Sequence, residues 1–168
     1  MTVEIVETVE IVEAELARPD HAEHFLALMD HFARDPLAGG KPLAADVRAR
    51  LVPALRARRD ATVLLAYAEG EPAGLATLFE GFSTFAARPL WNLHDMVVHE
   101  RFRGRGVARR LLAEIERRAR ARGYCKLTLE VLSGNRRAQA VYRSAGFAGY
   151  SLDPEHGTAC FFEKSLGH

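Results

Sequence analysis

Apolar and polar residues alternate over residues 10–16, and the Val and Ile in that run favour a first strand. The string Val3-Glu4-Ile5-Val6-Glu7 recurs as Val9-Glu10-Ile11-Val12-Glu13. Such a unit is too short for a solenoid, so residues 1–9 read as an N-terminal extension. Arg18-Pro19-Asp20 ends the strand. The spacing of Phe25, Leu28, Met29 and Phe32 then predicts a helix to about Arg34, with Asp20 as its cap. A loop over 35–42 leads to a second helix, about 44–58, carrying Val47, Leu51 and Leu55, and Pro53 predicts a kink or break in it. Two apolar runs, 61–68 and 73–82, flank Glu69-Gly70-Glu71-Pro72 and read as a hairpin. A linker over 83–89 precedes a further strand from Trp91 to Val98.

The next segment carries the clearest helical stripe: Val107, Ala108, Leu111, Leu112, Ile115 and Ala119 repeat at helical spacing up to Ala121, with Gly123 placed as a C-terminal cap. Residues 126–132 read as a strand, and Ser133-Gly134-Asn135 as the start of a helix over 136–145 ended by Gly146. Residues 147–152 and 158–164 read as a last hairpin around Asp153-Pro154-Glu155-His156-Gly157. The order is β-α-α-β-β-β-α-β-α-β-β, an α/β fold with a mixed sheet. No compositional break divides it, so the 168 residues read as one domain.

Composition narrows the classes. Apolar residues make up 48% and charged residues 27%, ordinary for a globular chain, and a net charge of +1 does not argue for nucleic acid. Residues 101–122 nevertheless hold nine arginines against Glu114 and Glu116. A nucleic-acid reading of that helix requires strongly salt-dependent binding, and its apolar stripe commits one face to the core instead. Cys125 and Cys160 form no metal or redox spacing. The acidic N-terminus has no signal-peptide character, and no apolar run reaches the ~20 residues of a membrane span. A cytoplasmic protein with no membrane partner is expected.

Two arginines and two glycines sit between the 91–98 strand and the long helix, as Arg103-Gly104-Arg105-Gly106-Val107-Ala108. A strand, a glycine turn and a helix N-terminus make an anion seat. Glycine lets the backbone approach closely, the first-turn N–H groups lack intrahelical partners, and the helix dipole places positive charge there. The seat suits a diphosphate. By contrast Gly39-Gly40-Lys41 has no preceding strand and no following Ser or Thr, so it is not read as a phosphate loop.

Arg103-x-x-Gly106-x-Ala108 matches the acyl-coenzyme A signature of the GNAT superfamily of N-acetyltransferases. Downstream, Asn135-x-x-Ala138-x-x-x-Tyr142-x-x-x-Gly146-Phe147 resembles that superfamily's second conserved segment, particularly as found in ribosomal-protein N-acetyltransferases. The resemblance is tight over 91–147 and extends loosely over 10–166. It implies a sheet whose two central parallel strands splay to admit acetyl-CoA as co-substrate, with no metal. It also implies that the amides from Arg103 to Arg109 hold the diphosphate, and that Met96, Val97 and Val98 offer main-chain groups to pantetheine, one of them polarising the thioester carbonyl. Arg109, Arg110, Arg136, Arg137 and Arg143 are candidates for the 3′-phosphate. The family often dimerises, so a homodimer exchanging the N-terminal repeat or the final strand is a further implication.

The implied reaction is direct attack of a primary amine on the thioester. It needs a proton route, an oxyanion donor and an acid for the departing thiolate. Tyr142 is the expected acid. It follows Asn135 by seven residues, nearly two turns, so both face one side. Asn135 also suits a helix N-cap at the coenzyme's edge. For the base three residues stand equal: Glu130, matching the glutamate of the ribosomal-protein enzymes, and His94 with Asp95, where polyamine and thialysine acetyltransferases have Glu-Asp. A water chain without a single base is a fourth option. The acceptor is a small molecule or a peptide, framed by about 31–43, 82–90 and 152–158, with Trp91, Phe82, Phe85 and Phe32 as candidate lining. The alternative from another class is a non-catalytic module that senses acyl-CoA. It predicts coenzyme binding without thiol release and a silent Tyr142→Phe change.

Overall fold

The computed structural model describes residues 8–167, so the first copy of the N-terminal repeat lies outside the described residues. Strands β1 (Val9–Glu13), β2 (Ala61–Ala68), β3 (Glu71–Ser83), β4 (Arg88–Val98) and β5 (Leu127–Leu129) form one sheet in that order. The first four pair antiparallel, and β4 pairs parallel with β5. Helices α1 (Pro19–Ala33) and α2 (Ala45–Arg56) precede β2, α3 (Val107–Ala121) joins β4 to β5, and α4 (Arg136–Ser144) follows β5.

Alternation along the strands divides the core into two layers. On one face Leu64, Ala66, Ala76, Leu78, Trp91 and Leu93 meet Val107, Leu111, Leu112 and Ile115 of α3. On the other, Val63, Leu65, Leu75 and Val97 meet Phe25, Leu28 and Leu55 of the first two helices. The predicted stripe of α3 is therefore the face it buries. Its arginines turn outward into ion pairs: Arg117 and Arg118 both bind Glu114 at 2.7 Å, and Arg118 also reaches Glu13 on β1 at 2.8 Å.

Several boundaries differ from expectation. Helix α1 starts with Arg18 as its N-cap and Pro19 in its first turn, so Asp20 is not the cap and instead pairs with Arg18 at 2.7 Å. Proline's fixed φ suits that position, which moves the start forward. Helix α2 runs through Pro53 without breaking and ends three residues later. The 83–89 linker is a hairpin turn, with Ser83 opposite Arg88 and four residues between them.

The C-terminal hairpin does not form. Residues 157–167 are irregular, residues 154–156 make a short 3₁₀ turn, and one main-chain bond, Ala159 N–H to the Tyr150 carbonyl at 3.0 Å, spans the loop. A hairpin needs a third strand or a helix to cover its apolar side. Here Leu152, Phe161 and Phe162 are 84%, 70% and 88% exposed, so the alternation has no surface to pack on. Strand β5 is likewise three residues rather than the seven expected over 126–132, for a reason that lies in β4. Among the described residues, no helix is long and apolar enough to cross a membrane.

Candidate active site

The site begins with a register shift. Thr77 of β3 pairs with Asp95 of β4, but the next pair is Leu78 with Leu93, so His94 is an extra residue in β4. A bulge of this kind bends the strand that carries it. On its other side β4 pairs with β5 only through Trp91–Leu127, Asn92–Thr128 and Leu93–Leu129. Past the bulge the two strands part, so among the described residues 130–132 have no ladder and Met96, Val97 and Val98 have no strand partner on the side away from β3. The expected splay is present.

The turn after β4 is built to stay open. His99 Nδ1 accepts the Arg101 N–H at 3.3 Å and caps a three-residue 3₁₀ turn, Glu100–Phe102. The Phe102 ring, 2% exposed, anchors it in the α3-side core. Gly104 and Gly106 both take φ of 78°, a conformation that costs a side-chain-bearing residue roughly 1–2 kcal/mol. Gly106 is the N-cap of α3 and has no side chain with which to cap it. The first-turn amides therefore face outward with positive helix-end charge behind them. At α4 the cap is internal, because Asn135 Oδ1 accepts the Ala138 N–H at 3.1 Å.

A cleft of about 480 Å³ opens over this turn. Met96, Val97, Val98, Arg103, Gly104, Gly106, Val107, Ala108, Arg109, Asn135 and Tyr142 all line it, together with Phe32, Asp35 and Arg137. It combines an apolar wall, an amide-rich turn and three arginines, which suits a ligand with an extended arm and several anionic groups. Arg103 donates through Nε to the Val98 carbonyl at 3.3 Å and stands 3.6 Å from Asp35, tying the turn to the α1–α2 loop. Arg105 is absent from the lining. Its guanidinium binds Glu69 at 3.1 Å and lies over Phe102, 5.4 Å from the ring centre. Of the other candidate phosphate ligands, Arg143 donates to Gln139 at 3.1 Å. A second cleft of about 510 Å³ runs beside the C-terminal half of α3, lined by Leu112, Glu116, Arg120, Tyr124 and Leu127.

Tyr142 is largely buried against Phe147, and burial pushes its hydroxyl above the ordinary tyrosine pKa, so it stays protonated across the neutral range. The three candidate bases do not line the cleft. Glu130 follows the end of β5 and is exposed. His94 is exposed at the bulge and meets Phe79 edge-on, with ring centres 5.2 Å apart. Asp95 shares the face of Val97, and burial raises its carboxyl pKa, opposed by the neighbouring His94. Trp91 is core, 1% exposed, whereas Phe82 and Phe85 stand in solvent.

Four contributors were not singled out from sequence. Phe102 anchors the turn, Asp35 meets Arg103, Glu69 meets Arg105, and Gly74 lets α3 approach the sheet. A Cβ at Gly74 would stand 2.8 Å from the Val97 carbonyl oxygen and 3.3 Å from Val107 Cγ1. Only Gly74 left a signal, as a glycine inside a strand run marks close backbone approach.

A mixed sheet whose parallel strands part beside a glycine turn at a helix N-terminus defines an acyltransferase of the N-acetyltransferase type. The Acetyltransferase (GNAT) family profile matches residues 25–147, and the chain belongs to that family. A thialysine N-epsilon-acetyltransferase of Caenorhabditis elegans is 25% identical over 135 residues, 77% of this chain and 78% of its own. A solved probable acetyltransferase is 25% identical with a TM-score of 0.74 over 95% of this chain and 97% of that one. An aminoglycoside N-acetyltransferase solved in complex with CoA shares the fold at 19% identity, TM-score 0.71, over 94% of this chain and 95% of that one.

Proposed function

We propose that this chain is a single-domain cytoplasmic N-acetyltransferase that moves the acetyl group of acetyl-CoA to a primary amine of a small molecule or peptide by direct attack. The observation that carries the reading is one cleft in which the parted end of β4, the uncapped turn before α3 and the Tyr142 side chain meet.

Each residue has a task. The amides from Arg103 to Arg109 take the diphosphate, with Gly104 and Gly106 admitting it to the backbone. Met96, Val97 and Val98 offer main-chain groups along the parted edge to the pantetheine arm. One N–H among them faces the thioester oxygen as negative charge develops there. Tyr142, held protonated by burial, gives its proton to the departing thiolate. The amine attacks as the free base, so its proton leaves first, toward Asp95 with His94, toward Glu130, or through water. Asn135 holds the first turn of α4 and with it the approach of Tyr142.

The test is a thiol-release assay with acetyl-CoA over a panel of polyamines, amino acids, aminoglycosides and peptides with free N-termini, repeated on Tyr142→Phe, Glu130→Gln and His94→Ala. A rate loss of about 10²-fold in Tyr142→Phe with acetyl-CoA affinity kept assigns the acid. Tight acetyl-CoA binding without thiol release for any amine would replace this reading by a sensor of acyl-CoA.

A further inference from the structure

We propose that Glu69, at the tip of the β2–β3 hairpin, is a positioning residue for the coenzyme: through Arg105 and Arg101 it holds the 103–106 turn in the shape that presents its amides to the diphosphate. The inference rests on the reading of that turn as the coenzyme's seat.

Two observations converge on Glu69. The first concerns the backbone. The β2–β3 connection is a two-residue turn, Glu69-Gly70, with φ of 54° and 77°. Positive φ at both central residues favours Asn, Asp or Gly at the first of them, so turn chemistry alone gives no reason for a glutamate. The second concerns the side chain. One carboxylate oxygen of Glu69 lies 3.1 Å from the Arg105 guanidinium and the other 3.6 Å from that of Arg101. Arg101 reaches on to Glu71 at 2.6 Å. Both guanidinium groups lie over the buried Phe102 ring, at 5.2 and 5.4 Å from its centre.

What this network does follows from its place in the chain. Arg105 sits between Gly104 and Gly106, the two residues with the widest conformational freedom in the seat. The near side of the turn is tied by Arg103 to Asp35 and to the Val98 carbonyl. The far side is tied by Arg105 to Glu69. With both ends held, the amides are already aligned when the diphosphate arrives, and little ordering remains to be done on binding. The contact also turns the Arg105 cation away from the cleft, whose lining keeps Arg103, Arg109 and Arg137 beside the turn's amides. The ion pairs are about half exposed, a setting in which such pairs add little to global stability. Their effect belongs to the local order of a glycine-rich turn.

The test compares Glu69→Asn and Glu69→Gln with the parent chain by calorimetric titration of acetyl-CoA, steady-state kinetics and thermal melting. Asn suits the positive φ, so Glu69→Asn keeps or raises Tm while weakening acetyl-CoA binding by about three- to tenfold, with kcat at saturating coenzyme unchanged. Adding Arg105→Gln to Glu69→Asn weakens binding little beyond Glu69→Asn alone, because the Glu69 change already cuts the Arg105 tie along with that to Arg101. Gly106→Val is the reference for the seat itself. If it leaves acetyl-CoA affinity intact, the seat is elsewhere and the underlying reading fails. If Gly106→Val loses affinity while both Glu69 variants keep it, only the role of Glu69 is overturned. A fall in Tm that accounts for the lost binding, or a fall in kcat at full affinity, overturns it as well.

Discussion

Asp95 stands directly across the β3–β4 ladder from Thr77, one step before the register shift that leaves His94 unpaired. The buried Thr77 hydroxyl has no partner at good hydrogen-bond geometry, yet it lies close enough to Asp95 to oppose, with His94, the effect of burial on that carboxyl. A carboxyl placed in this setting is costly when charged, and burial raises its pKa above the ordinary 3.8.

The sign of the linkage is definite. A carboxyl whose folded pKa is raised binds its proton more tightly in the folded state, so it lowers stability as pH climbs through that range and leaves a constant penalty above it. Asp95→Asn should therefore stabilise the fold at pH 7 by on the order of 1 kcal/mol, about 2–4 °C in Tm for a chain this size. The gain should vanish as pH falls toward 3.8 and below. Melting curves at pH 7 and pH 3.5 check it. If the same variant also loses the rise of kcat with pH, Asp95 is the proton acceptor.

Gly74 answers for the distance between α3 and the sheet. An added Cβ would meet backbone, the Val97 carbonyl oxygen at 2.8 Å, and then Val107 and Leu111 of α3 at 3.3 and 3.4 Å. Main chain cannot rotate away as a side chain does. Gly74→Ala should cost about 1–3 kcal/mol, read as a drop in Tm of several degrees. Because Val107 is the first residue of α3, the displacement should reach the turn and raise KM for acetyl-CoA more than it lowers kcat. A variant that melts and binds like the parent would show that α3 tolerates the shift.

His31 of α1 stacks on His99 at the end of β4, with ring centres 4.3 Å apart and planes 20° from parallel. Burial lowers the pKa of His31, His99 and Arg103 lower it further, and Glu100 and Asp35 oppose them. For a base with a lowered folded pKa, stability is present above its unfolded value of 6.5 and is lost as pH falls through and below it. The acid limb of the stability profile should therefore begin near pH 6.5, and His31→Gln should flatten it. Tm measured from pH 8 to pH 5 tests this, and an unchanged acid limb would show that other groups set it.

Much of this protein was written in local pattern. The α3 stripe recurs at helical spacing, so Val107, Leu111, Leu112 and Ile115 declared both the helix and its buried face. The glycine turn, the Asn135 cap and the α4 face bearing Tyr142 follow from residues a few positions apart, and each came out where its neighbours placed it. What depends on distant partners was out of reach. The length of β5 is set by the divergence of β4 at His94, and the two C-terminal runs alternate correctly yet meet no surface that would make them strands.

The division has one physical cause. Periodicity, caps and turn conformations are paid for within a few residues, so the amino-acid order alone determined the elements from β1 to α4, the glycine turn before α3 and the family. Register, ion pairing and close approach are interactions between segments far apart in the chain. Tertiary structure alone decided that the parallel strands part after Leu93, that Arg105 turns from the cleft to Glu69, and that Asp95 is held in surroundings that favour its proton.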